Sequence, residues 1–207
     1  MKNHFTPSPT IILASTSTYR KKLIEEWLGV RVETVAPSFS EERYKLEGKT
    51  KYLSPYEVSQ KLSYFKGKSV EENYREKIVI SGDQVCYGLG KIWDKPLTRD
   101  KAIDCLSQLQ GNSHELITTI SLFFNGEVIE HQNITTLTMV SLKFEEIKNY
   151  VDFAHPLDCA GSYKIEFGGM SLFSKIVSDD FSSIQGVPLL FVRKVLQKWN
   201  VKFWSQS

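Results

Sequence analysis

Ile11–Leu28, IILASTSTYRKKLIEEWL, constrains the fold more than any other stretch. Ile11, Ile12 and Leu13 form a short apolar run suited to a buried strand. Ser15, Thr16, Ser17 and Thr18 follow without a bulky apolar side chain, and Leu23, Ile24, Trp27 and Leu28 then recur at helical spacing. A strand that turns through hydroxyls into a helix outlines an anion site. The first N–H groups of the helix have no partner within it, and its dipole favours negative charge there. Arg20, Lys21 and Lys22 run against that dipole. They need another reason to stand in the first turn, and a bound phosphate chain supplies one.

Further along, Gly29 stops this helix as a C-terminal cap. Arg31–Ala36 alternates as a second strand, and Pro37 ends it. The polar stretch from Ser38 to Leu53 reads as a long solvated loop, of the length that often forms a lid. Ser54-Pro55-Tyr56-Glu57 opens a helix with a capping box, and its buried face is expected at Val58, Leu62 and Phe65. On that pattern Lys61, Lys66 and Lys68 belong to solvent. Ile78-Val79-Ile80 is another buried strand and runs straight into Ser81-Gly82-Asp83-Gln84. A carboxylate at the end of a buried strand sits where α/β sheets place ligands. A hairpin follows through Gly88–Lys91, and Trp93-Asp94-Lys95-Pro96 ends it. Thr98 caps a helix bearing Ala102, Ile103, Leu106 and Leu109. Two long strands, His114–Phe124 and Glu127–Leu142, join through Asn125-Gly126, a type I′ hairpin signal. Glu145–Phe153 is a short helix, Ser171–Val177 a strand, and Gly186-Val187-Pro188 leads into a last helix from Leu189 to Trp199. In the segment between, HPLDCAGSYKIE (His155–Glu166), small residues beside Lys164 and Glu166 suit either backbone packed close to a ligand or a tight turn. Hairpins mixed with crossovers predict an α/β fold, a mixed sheet flanked by helices in two lobes around a cleft.

The chain has 207 residues and a formal charge of +2, from 26 basic and 24 acidic residues. That balance argues against a nucleic-acid coat or a membrane-surface binder, whereas a small anionic ligand needs only local charge. Cys86, Cys105 and Cys159 make neither a disulfide framework nor a CxxC metal site and read as reduced thiols of a cytosolic protein. Residues 1–10 read as a flexible tail without an apolar leader, and one domain is expected over 1–207. The sequence contains no GxxxxGK[ST], HExxH or GxSxG. The residues themselves therefore reach a cytosolic α/β protein with a phosphate site, whose candidate groups are the helix-start hydroxyls, Arg20, Glu41, Lys66, Asp83 and Lys95.

LASTSTYRKKL at Leu13–Leu23 resembles the LAS-x-S-x-x-R-x-x-L signature of the Maf family, house-cleaning nucleoside triphosphate pyrophosphatases. The resemblance continues in order through Lys66, SGDQVC (Ser81–Cys86), DKPLT (Asp94–Thr98), HPLDCAGSYKIE and GVPL (Gly186–Leu189). It implies an elongated Maf/inosine-triphosphatase-like sheet and a hydrolase of phosphoric anhydride bonds. In that family's terms Ser15, Ser17, Arg20 and Lys95 bind phosphate. Asp83, Lys66 and Glu41 are catalytic, and Asp83 and Glu41 share a divalent metal, Mg²⁺ or Mn²⁺. The base-reading positions hold Tyr19, Gln84 and Glu166. Gln84 and the Lys-x-Glu after CAGS resemble the branch acting on 7-methyl-GTP, which carries Trp where this chain has Tyr19. The alternatives are a dTTP/UTP or inosine-triphosphate type of pyrophosphatase and a nucleotide-binding division regulator. The resemblance further implies a cytoplasmic homodimer with a nucleotide substrate and no nucleic-acid or membrane partner. Two departures stand out. Ser40-Glu41 replaces an Asp-Glu pair, leaving Glu42 as a possible substitute, and the loop Arg43–Leu53 is longer than usual.

Overall fold

In the computed structural model, which describes residues 9–204, the apolar run Ile11–Leu13 is the first strand, β1. It lies between β2 (Val32–Thr34) and β3 (Ile78–Gly88), parallel to both. Parallel neighbours require crossovers. These are α1 (Thr18–Leu28), between β1 and β2, and the pair α2 (Glu41–Leu46) and α3 (Pro55–Glu71), between β2 and β3. The rest of the sheet is antiparallel. β4 (Lys91–Trp93) folds back on β3, α4 (Arg99–Leu109) leads to β5 (Ser113–Phe124), and β5 pairs with β3 and with β6 (Glu127–Met139). The β5–β6 turn places Asn125 and Gly126 at φ 49 and 81, the left-handed pair that a type I′ turn needs. Then come α5 (Phe144–Ala154), the edge strand β7 (Phe173–Val177) and α6 (Leu189–Lys198). The sheet order is β2-β1-β3-β5-β6-β7, with β4 on β3. The expected mixed sheet with flanking helices is therefore present.

Alternation along β3 assigns its two faces. Val79 packs with Val70, and Val85 with Val58 and Leu62, so this face meets α3. On the other face Ile78 and Ile80 join Leu23 and Ile24 of α1 and Val192 and Leu196 of α6. Cys86 instead joins Ala102 and Leu106 of α4 and Val151 of α5. Two apolar cores thus sit at opposite ends of the long strands. On the α3 face, between Val79 and Val85, runs a buried polar band: Ser81 and Asp83 of β3 with Ser121 and Thr119 opposite them on β5. Small side chains let α3 approach this band. Ser59 Oγ donates to Thr119 Oγ1 at 2.8 Å, Ser63 Oγ lies 2.8 Å from Ser121 Oγ, and Ser81 Oγ donates to the Ser63 carbonyl at 2.8 Å.

Several expectations need correction. The stretch Ser38–Leu53 contains a helix, α2, rather than loop alone. The second strand spans only Val32–Thr34. Phe65 is half-buried and Lys66 is in the buried stripe of α3, because the small Ser59–Ser63–Gly67 row turns that side toward the sheet. Trp27 is 66% exposed, since the buried face of α1 is formed by Leu23, Ile24 and Leu28. Of the expected tail, residues 1–8 lie outside the described residues. Thr10 is tied to the sheet, its carbonyl accepting from the Ile78 N–H at 3.0 Å. The glycines near Lys164 pack on protein. A Cβ on Gly161 would lie 2.9 Å from Cys86 Sγ, and the Gly169 N–H closes a turn on the Lys164 carbonyl at 3.0 Å.

His114 on β5 gives the fold a pH dependence. Its Nε2 is 2.9 Å from Tyr163 Oη, its Nδ1 has no partner among the described residues, and burial pushes its pKa down to about 4. The unfolded chain takes up this proton near pH 6.5, whereas the folded chain does so only near 4. The unfolded state therefore binds more protons in that window, and stability falls as pH drops through it, by on the order of 3 kcal/mol for this group. Denaturant midpoints measured from pH 7 to 4 should show the loss, and His114→Gln should remove this share of it. A slope unchanged by the substitution would assign the dependence elsewhere.

Candidate active site

The site arises from an interruption at one edge of β3. β5 occupies the other edge from Val79 to Tyr87. On this edge β1 pairs with Ile78–Ile80 and β4 with Cys86–Gly88, so Ser81–Val85 has no paired strand there among the described residues. Asp83 is the middle residue of the gap. Arg20, reaching in from α1, closes part of it. Its Nη1 donates to the Gly82 carbonyl at 2.9 Å and its Nε to the Gly186 carbonyl at 3.2 Å. Gly186 has φ 90, and a Cβ there would lie 3.0 Å from Arg20 Nε, so both its conformation and the approach of Arg20 require glycine. Burial lowers the Arg20 pKa, while Asp83 and Glu41 oppose that effect. With two donors committed to carbonyls, the remaining N–H groups of the guanidinium are held at a fixed angle.

The neighbouring hydroxyls shape the start of α1. Ser17 Oγ caps it by accepting from the Arg20 N–H at 3.3 Å, and Ser15 Oγ accepts from the Ser17 N–H at 3.1 Å. Each hydroxyl still has its own proton to donate. The other cations of this turn do not need one. Lys21 pairs with Glu25 at 4.0 Å and Lys22 with Glu26 at 3.7 Å, each one helical turn on. Of the triplet, Arg20 is the one that reaches into the gap.

On the α3 face of β3, Lys66 joins two carboxylates. Its Nζ is 2.6 Å from Asp83 Oδ1 and also pairs with Glu41 Oε1. Lys66 and Asp83 are 9% and 5% exposed, so the pair is sheltered from water and more strongly coupled than a surface pair. Glu41 comes from α2. That short helix buries no residue of its own, but rings anchor it: Phe39, Tyr44 and Phe65 lie with centroids 5.4 to 5.5 Å apart. Ser40, where the resemblance expects a carboxylate, caps α2 by accepting from the Arg43 N–H at 3.2 Å, and Glu42 is exposed. Burial alone would raise the Glu41 pKa, but Lys66 outweighs it, with Lys95 and Lys45 adding to the effect, and holds it below the usual range. Lys95 is exposed next to Asp94 and acts on Glu41 through its charge.

The base-reading candidates lie elsewhere around the gap. Gln84 points to the face opposite Asp83, where its Nε2 donates to Thr118 Oγ1 and the Ser183 carbonyl, both at 2.9 Å. Those bonds fix the amide and leave Oε1 as an acceptor. Tyr19 is exposed, with Lys164 Nζ 5.9 Å from its ring centroid. Lys164 is itself held by the His155 carbonyl at 3.0 Å and Asp158 Oδ1 at 3.2 Å. Glu166 is exposed two residues further on, and its charge is felt by Tyr150 and Cys159.

The structure thus groups Glu41, Lys66 and Asp83 closely, sets Arg20 beside them, and leaves Tyr19, Gln84 and Glu166 around the edge. Lys45 and the Gly186 carbonyl were not among the groups the sequence pointed to. Lys45 has one local signal, its spacing of four from Glu41 on a helix. Such a cluster can fix an anion and let a carboxylate take a proton from water.

Comparison with known proteins identifies the family. The profile of a family described as Maf-like protein matches residues 10–199. The 7-methyl-GTP pyrophosphatase of Bdellovibrio bacteriovorus is 38% identical over 195 residues, covering 94% of this chain and 100% of the relative. That of Vibrio parahaemolyticus is 35% identical over 208 residues, covering 96% and 97%. The dTTP/UTP pyrophosphatase of Chlamydia caviae is 27% identical over 198 residues, covering 95% and 97%. Among solved structures, the Staphylococcus aureus Ham1 protein aligns at a TM-score of 0.48 and 11% identity, over 92% of this chain and 99% of that one.

Proposed function

This chain belongs to the Maf family, and from that premise we propose that it hydrolyses a nucleoside triphosphate between the α and β phosphates, with 7-methyl-GTP or a related modified purine nucleotide as substrate. The products are the monophosphate and pyrophosphate. The observation that carries this reading is Asp83 itself: a carboxylate at an unpaired strand edge, 2.6 Å from a buried lysine and flanked by Arg20. Ser15, Ser17, Arg20 and Lys95 hold the phosphates. Lys66 and Lys95 neutralise charge developing at the α–β bridge. Asp83 accepts a proton from the attacking water as the bridge breaks. Tyr19 offers a ring face to the base. Gln84 and Glu166 offer hydrogen-bond acceptors, which suit the N1–H and amino group of guanine. The higher identity to the two 7-methyl-GTP pyrophosphatases than to the dTTP/UTP enzyme supports this choice of substrate.

The residues fit a Mg²⁺ or Mn²⁺ ion that arrives with its nucleotide. Lys66 takes one oxygen each of Asp83 and Glu41, so each carboxylate has a second oxygen to offer. Among the described residues no three His, Cys, Asp or Glu side chains gather as a cage, which suits an ion completed by phosphate oxygens. Such an ion would neutralise charge on those oxygens. A single Maf-like domain, a homodimer and a cytoplasmic location belong to the same proposal.

The test is pyrophosphate release from 7-methyl-GTP, dTTP, UTP, ITP and GTP with Mg²⁺ or Mn²⁺. The fastest turnover is expected with 7-methyl-GTP. Release from dTTP but not from 7-methyl-GTP would overturn the substrate, and tight nucleotide binding without release under either metal would overturn the activity.

A further inference from the structure

α2 carries a second charged side chain to the site. Lys45 follows Glu41 by four residues and so shares its side of the helix. Its Nζ lies 2.6 Å from Asp94 Oδ1, the residue before Lys95. Burial would lower the Lys45 ammonium, but Asp94 outweighs it, and Asp83 and Glu41 add to the effect. Lys45 therefore sits in the field of both site carboxylates. Glu41 in turn feels Lys66, Lys95 and Lys45. The ring contacts of Tyr44, next in the chain, hold this part of α2 against Phe65 of α3.

Its present partner is a weak one. The Lys45 and Asp94 side chains are 37% and 68% exposed, so water screens the pair and can solvate Asp94 once the lysine leaves. A polyphosphate carries several charges and would displace a single exposed carboxylate. We propose that Lys45 is a further phosphate-binding residue, contributed by α2, and that Asp94 is the counter-ion it gives up when the terminal phosphates of the substrate enter. This rests on the reading of the site as a triphosphate site. It also gives α2 a task, since this helix brings the carboxylate of Glu41 and a phosphate-side cation to the site one turn apart.

Calorimetry with inorganic tripolyphosphate tests it without requiring turnover. Lys45→Met should weaken tripolyphosphate binding about tenfold and raise KM for 7-methyl-GTP about tenfold, with kcat within twofold. Lys45→Arg should restore both, because it keeps the charge. Asp94→Asn should move binding the opposite way and tighten it, because it frees the lysine. Unchanged affinity in Lys45→Met would overturn the proposal. So would weakening in both Lys45→Met and Asp94→Asn, which would make the pair a structural brace. The two readings fail separately. A protein that turns over no nucleotide but binds tripolyphosphate through Lys45 loses the proposed activity alone. One that turns over 7-methyl-GTP with KM and tripolyphosphate affinity unmoved in Lys45→Met loses this inference alone.

Discussion

Asp83→Asn is expected to lower the rate of pyrophosphate release about a thousandfold while nucleotide affinity changes only a few-fold. Proton transfer by a placed side chain is worth about 10²–10⁴ in rate. Asparagine keeps the shape and an oxygen for Lys66 Nζ, now 2.6 Å away, but it can no longer take a proton. The substitution also tests the ion pair. Removing one partner of a buried pair is costly when it strands the other charge. Here Lys66 keeps Glu41, so the fold should lose only about 1–3 kcal/mol and the purified variant should remain folded. Turnover and thermal melts measured on one preparation separate the two effects. Full turnover in a folded variant would remove Asp83 from the role of base.

Gly67→Ala should destabilise the protein by about 2 kcal/mol, although helix propensity alone predicts a gain of about 1 kcal/mol for replacing a helical glycine by alanine. Gly67 lies on the sheet side of α3, where an added Cβ would stand 2.9 Å from Phe123 Cζ and closer still to Phe123 Cε2 and Ser81 Oγ. Phe123 is fully buried and its ring also packs on Tyr64, with centroids 5.7 Å apart, so it has little room to turn. α3 must then back away from β3; overpacking of this kind costs about 1–3 kcal/mol, and three contacts this close put it at the upper end, enough to outweigh the propensity gain. The melting temperature should fall by roughly 6 °C. Lys66, the preceding residue, would shift with the helix, so kcat should fall as well, since small misplacements near the reacting centre are expensive. A variant more stable than the parent would mean that the helix–sheet contact is softer than its geometry implies.

Much of the fold was legible along the chain because it depends on short-range rules. Ile11–Leu13 and Ile78–Ile80 have no polar alternation, and both became buried strands of the parallel part of the sheet. Ser54 to Glu57 formed the expected capping box, and Asn125-Gly126 the expected turn. Elsewhere the pattern misled. The apolar positions Val58, Leu62 and Phe65 suggested a stripe that leaves Lys66 in water, yet Lys66 is buried. Serine and glycine carry no hydrophobic signal, but their small size sets how near α3 comes to the sheet. The triplet Arg20-Lys21-Lys22 looked like one phosphate clamp, and neighbouring glutamates account for two of its three members.

What the amino-acid order determined alone was the set of elements and the chemistry available to them: caps, turns, buried strands, and Asp83 at the end of an apolar run. Which of those groups meet was decided only by tertiary structure. Arg20 is 62 residues from Gly82 and 166 from Gly186, and its guanidinium binds both. Glu41, Lys66 and Asp83 come from three elements and meet on β3 past the point where β1 ends at Leu13. That ending leaves a five-residue stretch of strand edge without a neighbour among the described residues, and a gap between two strands is a property of how the sheet assembles, with no counterpart in the composition of either strand.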